Sequence, residues 1–522
     1  MIKKDRLFYV LIIGILVYCM MPLMAYAQAF TAQTADKVNL KMLRYRPPCL
    51  PGIEEPVFNA SGEPVLLFPG IVCNMNEFLV HTPDDRSGEY ADMSLPSPLP
   101  DWAMDDPWIE DDPMRLYNFA HYLWLKGYDP WFANYRGTGR GEFKSDKGDN
   151  LSCLDVWATL DVPACVEKVY EITGKYPFIG GHSTGGLVSY VYLQGVTLDT
   201  GKLGNGYIPH VYSDPALAEA RNAKIPGFIG IDPAGIPPMP DYVDHDVVWA
   251  LMWMPVYLDL ETLMGEYLNN LLPGKEPIII SVDMLMGFVF EMDGFYQLFG
   301  DSLPEIMNVF EYLNFWNTHN MHDYVEDYFA RYAASSCYLR GMSQYFDSGM
   351  HKVMREHWTN GEGNGLLLKG PDPAPETDGY YYYIPQSPYD YASDQNTMKK
   401  VTVPATVVLS YTDSLVDADE VIRDFMYAKT FNALDDDPHL IPDTGHVDVV
   451  CGDSAPYTSF GFIGAWLDSV CAAIQAEDVA GNEGSGDGET PDTDASTNAA
   501  AMYLSDSNSG YCFITISGMK DQ

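Results

Sequence analysis

Short apolar runs that alternate with longer mixed stretches dominate the middle of the chain. Runs at 64–68, 176–180, 228–231 and 403–410 are rich in apolar residues, and a glycine, proline or aspartate follows within three residues of each. Strands that are buried on both faces show this continuous apolar pattern, because helices cover both sides of a parallel sheet. The alternation with helical stretches therefore predicts an α/β fold whose sheet is mostly parallel and flanked by helices.

The same pattern divides the chain into a core in two parts and an insertion between them. Residues 28–235 and 401–476 carry the strands of the predicted core. Residues 236–400 are rich in Met, Trp and Phe and are predicted to form a mainly helical cap or lid. Residues 477–522 contain few large apolar side chains, and we expect a disordered acidic linker that ends in a short C-terminal tag.

The segment 1–27 has the pattern of a secretory signal peptide. Lys3, Lys4 and Arg6 precede a long apolar run, and a small-residue site ends at Ala27. We expect cleavage after Ala27 and a secreted protein, whether extracellular, periplasmic or on the cell surface. Eight of the nine cysteines follow this segment. Disulfides are expected in such a compartment, although the sequence does not fix their pairing.

The chain is strongly acidic. Asp and Glu number 73 against 30 Lys and Arg, which gives a formal net charge of −43 at pH 7. A surface of this sign repels nucleic acid and anionic membranes, so we expect no nucleic-acid partner. His319, His322 and Asp323 have a spacing loosely like that of metal ligands, but no further ligand cluster accompanies them. We therefore predict neither a metal nor an organic cofactor.

Residues 181–185 read Gly-His-Ser-Thr-Gly and lie between an apolar strand and an apolar helical stretch. In this setting a G-x-S-x-G sequence predicts a tight strand-to-helix turn, which holds Ser183 in a strained backbone with its hydroxyl above the sheet. Small residues on both sides let the strand and the helix approach each other closely. Ser183 is therefore the predicted nucleophile.

A serine hydroxyl is a weak nucleophile until a base removes its proton, and the base needs an acid to fix its tautomer. Asp413 follows the strand at 403–410, and His446 follows a glycine after a further short strand. The chain order Ser, Asp, His is the one expected on such a sheet. We predict a catalytic triad of Ser183, Asp413 and His446.

Two alternatives to these assignments remain open at this point. Asp232 also follows an apolar strand and reaches the same edge of the sheet, so it competes with Asp413 for the role of the acid. The commoner arrangement favours Asp413. His439 competes with His446 as the base, but its position predicts that it lies in the incoming strand.

The predicted reaction also needs donors for the negative oxygen of its intermediate. The strand at 64–68 runs into Pro69 and Gly70, and a loop there can aim the backbone N–H of Ile71 at the reacting carbonyl oxygen. The second predicted donor is the N–H of Thr184, the residue after the nucleophile.

Several motifs jointly resemble the α/β-hydrolase superfamily, and within it the acid lipases and related ester hydrolases. Besides the motif at 181–185 they are Gly-Tyr-Asp-Pro-Trp at 127–131, Asn-Tyr-Arg-Gly at 134–137, Asp-Val-Pro-Ala at 161–164 and Gly-His-Val-Asp at 445–448. Pro69 departs from that group, which usually has a histidine there. The resemblance implies an α/β-hydrolase fold with a large, mainly helical cap insertion.

The resemblance and the triad together imply a secreted serine hydrolase of the lipase or esterase kind. We expect it to cleave a small-molecule or lipid ester through an acyl-enzyme, and we expect the cap to contact a lipid interface. Two other functions fit the same residues, namely acyl transfer to an alcohol by the same triad and a non-catalytic binding module. The sequence does not fix the oligomeric state.

Overall fold

The computed structural model describes residues 27–237, 257–258, 316–357 and 389–483, with short gaps at 49, 51–61, 85–86, 89, 91, 149–150, 205–207 and 393–394. The predicted signal peptide, most of the predicted cap and the tail from 484 onward lie outside the described residues.

The described strands are β1 (Ala27–Gln33), β2 (Asn39–Tyr45), β3 (Pro64–Phe68), β4 (Asp129–Ala133), β5 (Phe178–His182), β6 (Val196–Leu198), β7 (Val211–Ser213), β8 (Phe228–Ile231), β9 (Tyr257–Leu258), β10 (Cys337–Tyr338), β11 (Ala405–Ser410) and β12 (His439–Ile441). Eight of them form one sheet in the order β1-β2-β4-β3-β5-β8-β11-β12. β6 pairs with β7, and β9 pairs with β10, in two small antiparallel ribbons.

Six neighbouring strands of the large sheet, from β4 to β12, run parallel. β2 is antiparallel to both of its neighbours, β1 and β4. The predicted fold class, a mostly parallel sheet flanked by helices, is confirmed. Because parallel strands end at the same edge, the residues that follow β3, β5, β8, β11 and β12 come together there. All of the predicted site residues follow one of these strands.

Helices connect the strands of the sheet. The described α-helices are Pro107–Asp111, Phe119–Leu125, Leu154–Val156, Val162–Thr173, Thr184–Leu193, Pro215–Lys224, Asp323–Tyr328, Leu339–His351, Gln395–Met398, Ala418–Val421, Asp448–Cys451 and Ser459–Glu483. Wider π-helical turns occur at Trp157–Asp161, Phe329–Ala333 and Ile422–Met426. The first of these joins two α-helices into one continuous element over 154–173.

The sheet is buried on both faces, and β3 shows how. Val65 and Leu67 belong to the apolar core on one face, whereas Leu66 and Phe68 belong to the core on the other. Residues of the helices at 119–125 and 459–470 fill the first core, and residues of those at 162–173 and 184–193 fill the second. This double burial explains why the strand is a continuous apolar run.

The last helix, Ser459–Glu483, continues past the predicted end of the core at 476. Within the described residues, one stretch has the length and hydropathy to cross a membrane, namely Ala455–Ala476. Most of this stretch lies in the last helix. Phe460, Ile463 and Leu467 are buried in the core, as in the core helix of a globular protein. The chain divides after Ala472 into two units. Residues 473–483 are the described part of the second unit.

The described cysteines do not form disulfides. Six lie within the described residues, and all are free thiols: Cys73, Cys153, Cys165, Cys337, Cys451 and Cys471. Five of them are buried. The expected disulfides are therefore not found among these six. Burial raises the pKa of the Cys337 thiol to about 12, so it stays protonated at neutral pH.

Candidate active site

Ser183 occupies the sharp turn between β5 and the helix Thr184–Leu193. Its φ of 51° and ψ of −118° form a strained conformation for a residue with a side chain. Two main-chain hydrogen bonds hold the turn, one from Ser183 N to the Ile231 oxygen (3.0 Å) and one from Ala234 N to the Ser183 oxygen (2.9 Å). The predicted strand-to-helix turn is present. Ser183 Oγ forms no hydrogen bond with another described side chain.

Two glycines let this turn lie directly against β3. A Cβ atom at Gly181 or at Gly185 would overlap the carbonyl oxygen of Phe68. The close approach explains why the sequence needs glycines on both sides of Ser183. β5 itself begins at Phe178, two positions later than the predicted strand, because Pro177 has no N–H to offer a neighbouring strand.

His446 lies in the loop after β12, and Asp413 lies in the loop after β11. His446 Nδ1 is 2.6 Å from Asp413 Oδ2. The other carboxylate oxygen, Oδ1, accepts the N–H of Leu415 at 2.6 Å. A neutral imidazole that donates from Nδ1 leaves Nε2 as an acceptor, which is the tautomer a general base needs. The structure thus brings the predicted base and the predicted acid together.

Asp232, the alternative acid, lies in the loop after β8 with a φ of 43°. Its Oδ2 is 3.9 Å from His446 Nδ1, which is too far for a hydrogen bond. Its Oδ1 accepts the N–H of Ser410 at 2.9 Å. Both aspartates therefore approach the histidine, and Asp413 is the one that bonds it.

The predicted oxyanion loop lies against the serine turn. A Cβ atom added to Gly70 would stand 3.4 Å from Ser183 Cβ. A hydrogen bond of 3.2 Å from Cys73 N to the Gly70 oxygen closes the loop into a tight turn. No described acceptor takes the N–H of Ile71 or of Thr184, as a hole for a substrate oxygen requires.

A buried pair links this loop to the loop that carries His446. Glu77 Oε1 accepts the N–H of Gly70 at 3.1 Å, and Glu77 Oε2 lies 3.3 Å from His182 Nδ1. His182 Nε2 lies 2.8 Å from the main-chain oxygen of His446. Because both ring nitrogens of His182 face oxygen acceptors, the geometry favours a charged imidazolium. Burial alone lowers the pKa of His182, but the charge and hydrogen bond of Glu77 outweigh it, and the pKa is raised.

The environment separates the protonation states of the other groups. Burial, followed by the charge of His182, lowers the pKa of His446 to about 3. His446 is therefore neutral over the ordinary pH range, which is the form that accepts a proton. Burial raises the pKa of Asp413 to about 7. Burial and the neighbouring charge of Asp413 raise the pKa of Asp232 to about 8.

The helix Leu339–His351, near the end of the predicted insertion, contacts the serine turn. Tyr345 Oη donates a hydrogen bond of 2.9 Å to Thr184 Oγ1, and both residues are buried. The side chain that fixes the residue after the nucleophile thus comes from the insertion. Gly341 of the same helix lies against Trp157, where a Cβ atom would stand 2.7 Å from the indole ring.

A second contact from the insertion holds the loop of His446. Asp448 Oδ1 accepts the N–H groups of Gly445 (2.8 Å) and Asn317 (3.1 Å). Asp448 Oδ2 accepts the side-chain amide of Asn320 at 2.6 Å. The carboxylate is buried, and its contacts tie the loop to residues 316–320.

Two of the motifs that resemble the superfamily meet in the structure. Arg136 donates to both oxygens of Asp161, including a bond of 2.7 Å from Nη2, and both side chains are buried. Asn134, from the same motif as Arg136, accepts the N–H of Met75 at 2.8 Å and so braces the end of the oxyanion loop. These residues position the site and do not reach it.

The remaining sequence candidates lie outside this cluster. His439 lies in β12, as predicted, and its Nε2 is 2.7 Å from Asp436 Oδ2. His322 accepts the N–H of Tyr324 at 3.2 Å. Among the described residues, one group of side chains has the spacing to hold a metal ion, with its ligand atoms within 4.8 Å of one another. That group is Asp232, Asp413 and His446, whose Nδ1 already bonds Asp413.

Sequence reasoning missed Glu77, His182, Tyr345 and Asp448 as parts of the site. His182 and Asp448 lie inside recognised motifs, so their positions could have indicated a role in the site. No sequence pattern indicated a role for Glu77 or Tyr345, because each reaches the site only through tertiary contacts.

A mostly parallel sheet, a strained serine after β5 and an aspartate–histidine pair after two later strands define an α/β-hydrolase fold. No family model matches the chain, and no curated protein matches its sequence.

Solved structures resemble the chain at low identity. A membrane phospholipase A described as a bacterial virulence factor is 12% identical, with 90% of this chain and 99% of that chain covered and a TM-score of 0.39. A thermophilic esterase from Thermogutta terrifontis is 13% identical, with 85% and 99% covered and a TM-score of 0.35. A monoacylglycerol lipase from Paleococcus ferrophilus is 13% identical, with 78% and 96% covered and a TM-score of 0.34. The fold assignment rests on the sheet and the serine turn of this chain.

Proposed function

We propose that this protein is a serine hydrolase that cleaves carboxylic esters through an acyl-enzyme. The observation that supports this most directly is the 2.6 Å bond between His446 Nδ1 and Asp413, at the sheet edge where Ser183 stands on its strained turn. Burial and the charge of His182 keep His446 neutral, and the bond to Asp413 fixes its tautomer.

The proposed reaction has two halves. Ser183 Oγ attacks the ester carbonyl carbon while His446 Nε2 takes its proton, and Asp413 stabilises the imidazolium that forms. The N–H groups of Ile71 and Thr184 donate to the carbonyl oxygen as it becomes negative. His446 then gives its proton to the departing alcohol. Water, activated by the same histidine, attacks the acyl-enzyme and releases the carboxylic acid together with free Ser183.

Tyr345 of the insertion bonds Thr184, and Asn317 and Asn320 of the insertion bond Asp448. These contacts support a role for the insertion near the substrate. We propose that it shapes the acyl pocket and meets a lipid interface. Most of the segment that would do so, between 238 and 315, lies outside the described residues.

We also propose that the protein is exported and that residues 1–27 are removed. The charged and apolar pattern of that segment supports this proposal. Intact mass and N-terminal sequence of the protein recovered outside the cytoplasm test it. A full-length chain that begins at Met1 would overturn the cleavage.

A fluorophosphonate probe tests the nucleophile, because it reacts covalently with an activated serine. We expect the purified protein to be labelled and Ser183→Ala to be unlabelled with its melting temperature nearly unchanged. Ser189→Ala is the matched control, since Ser189 is buried in the following helix and bonds the Gly185 oxygen at 2.7 Å. Labelling of the Ser183→Ala protein would contradict the proposal.

Product analysis separates hydrolysis from acyl transfer. The mature protein is incubated with a short-chain and a long-chain acyl ester, each with and without an added alcohol. We expect free carboxylic acid as the main product in all four mixtures. A product dominated by a new ester in the presence of alcohol would assign the protein to the acyltransferases.

A further inference from the structure

We infer that Asp232 carries a proton and donates it to the carboxylate of Asp413, which makes Asp232 a positioning residue for the acid of the triad. Its part in catalysis rests on the proposed function. The position of the proton rests on the buried geometry of the two carboxyl groups.

The two carboxyl groups lie together in a site closed to water. Asp232 is fully buried, and oxygen atoms of Asp232 and Asp413 lie within 4.8 Å of each other and of His446 Nδ1. Two ionised carboxylates have only acceptors and repel each other, so neither can satisfy the other. A proton on one of them removes this repulsion and supplies a donor between the two carboxyl groups.

The donors around the pair decide which aspartate holds the proton. Asp413 accepts hydrogen bonds from His446 Nδ1 and from the N–H of Leu415, both at 2.6 Å. These donors stabilise its charged form. Asp232 accepts the N–H of Ser410 at Oδ1, while its buried Oδ2 accepts no hydrogen bond. A proton on Oδ2 turns that orphaned oxygen into a donor, which removes the cost of leaving it unpaired.

The charges that face Asp232 favour the same assignment. The titratable groups around it are Asp413 and His446 from the loops after β11 and β12, and His182 at the end of β5, with Glu77 and Asp448 beyond. Burial and the charge of Asp413 outweigh the opposing influence of His446, and the pKa of Asp232 stays at about 8. The proton is therefore retained at neutral pH.

A neutral Asp232 suits the chemistry better than an ionised one. The protonated carboxyl group of Asp232 donates a hydrogen bond to Asp413 and holds it in place without adding a negative charge to the site. If Asp232 ionised, a second negative oxygen would stand 3.9 Å from His446 Nδ1, and Asp413 would lose a donor. We therefore expect turnover to change as pH rises through the pKa of Asp232.

The variant Asp232→Asn tests the inference, because an amide mimics the protonated acid. Its oxygen can accept the N–H of Ser410, and its NH₂ group can donate to Asp413. We expect turnover within a few-fold of the wild type at pH 7 and loss of the alkaline inflection that Asp232 ionisation causes. In the infrared difference spectrum between the wild type and this variant at pH 7, the C=O band of one buried protonated carboxylic acid should appear on the wild-type side.

Thermal stability gives a readout that does not depend on activity. An aspartate in the unfolded chain has a pKa of about 3.9, whereas Asp232 in the folded protein titrates near 8. Between these values the folded state holds more protons, so the wild type loses stability as pH rises. The melting temperature of Asp232→Asn, relative to the wild type, should therefore climb from pH 4 to pH 8 and then level off.

Asp448→Asn is the matched control, since Asp448 is a buried carboxylate in the same region whose two oxygens face only donors. In Asp448→Asn the NH₂ group of the new amide would face an N–H donor that the carboxylate accepted. We therefore expect this variant to be destabilised across the pH range. If Asp232→Asn loses turnover as severely as Asp413→Asn, or shows a pH-independent stability difference, the inference is wrong. A wild type that fails to react with the fluorophosphonate would instead overturn the proposed function.

Discussion

His182 Nε2 lies 2.8 Å from the main-chain oxygen of His446, so the residue before the nucleophile holds the loop that carries the base. The same imidazole faces Glu77 through Nδ1, and Glu77 also accepts the N–H of Gly70. One buried ion pair therefore fixes three pieces of the site relative to one another: the serine turn, the oxyanion loop and the histidine loop.

Glu77→Gln should weaken this link in a pH-dependent manner. A neutral amide cannot balance the charge of His182, and breaking a buried pair in this way costs about 3–5 kcal/mol. Because the folded protein raises the pKa of His182, the contribution of the pair is complete below the unfolded value of about 6.5 and disappears as pH rises through the folded value. The loss in melting temperature should be larger at pH 5 than at pH 9.

Asp436→Asn is the control for that measurement. It removes a carboxylate from another histidine, His439, at 2.7 Å, but this pair is partly exposed and should contribute little. Equal destabilisation by Glu77→Gln at pH 5 and pH 9 would show that His182 is not charged in the folded protein.

Asp413→Asn should abolish most turnover while the protein stays folded. The amide can present its NH₂ group to His446 Nδ1, which then holds the imidazole in the wrong tautomer. In triads of this kind the loss is roughly 10⁴-fold. Steady-state kinetics on a chromogenic ester measure it, with Asp232→Asn beside it. A smaller loss for Asp413→Asn than for Asp232→Asn would transfer the role of the acid to Asp232.

Tyr345→Phe should lower kcat more than it changes KM. The hydroxyl bonds Thr184 Oγ1 at 2.9 Å, and Thr184 supplies one of the proposed oxyanion donors. Removing a buried hydrogen-bond partner costs about 1–3 kcal/mol and loosens the residue that it held. Tyr128→Phe, which removes a hydroxyl bonded to Asp468, is the control and should leave kcat unchanged. A pure KM effect would place Tyr345 in substrate binding.

Truncation after Glu483 should leave ester turnover and melting temperature nearly unchanged. Residues 484–510 are dominated by Gly, Ser, Thr, Ala, Asp and Glu and offer too little apolar surface to form a core. Truncation after Gly464 is the contrasting variant, because it removes Trp466, Leu467 and Val470 from a buried core. If removal of 484–522 lowers the melting temperature by several degrees, the tail packs on the folded protein.

Strand ends and their turns carry the part of the site that the sequence predicts. Ser183 directly follows β5, and Asp413 and His446 lie within five residues of the ends of β11 and β12. A local pattern therefore places all three at one edge of the sheet. Glu77 and His182 are 105 residues apart, and His182 and His446 are 264 apart. Contacts over such distances leave no local pattern. The proton that we infer on Asp232 depends on the packing of the site. The sequence alone presented Asp232 and Asp413 only as alternatives for the acid of the triad.

The strands β5, β8, β11 and β12 stand side by side in the same order in which the ribosome makes them. With 264 residues between His182 and His446, synthesis at about 5–20 residues per second separates the serine from its base by roughly 10–50 s. During that interval the growing chain presents a serine with no histidine to activate it. The proposed ester hydrolase therefore cannot cleave ester bonds in the cell that makes it until β12 and His446 have been synthesised.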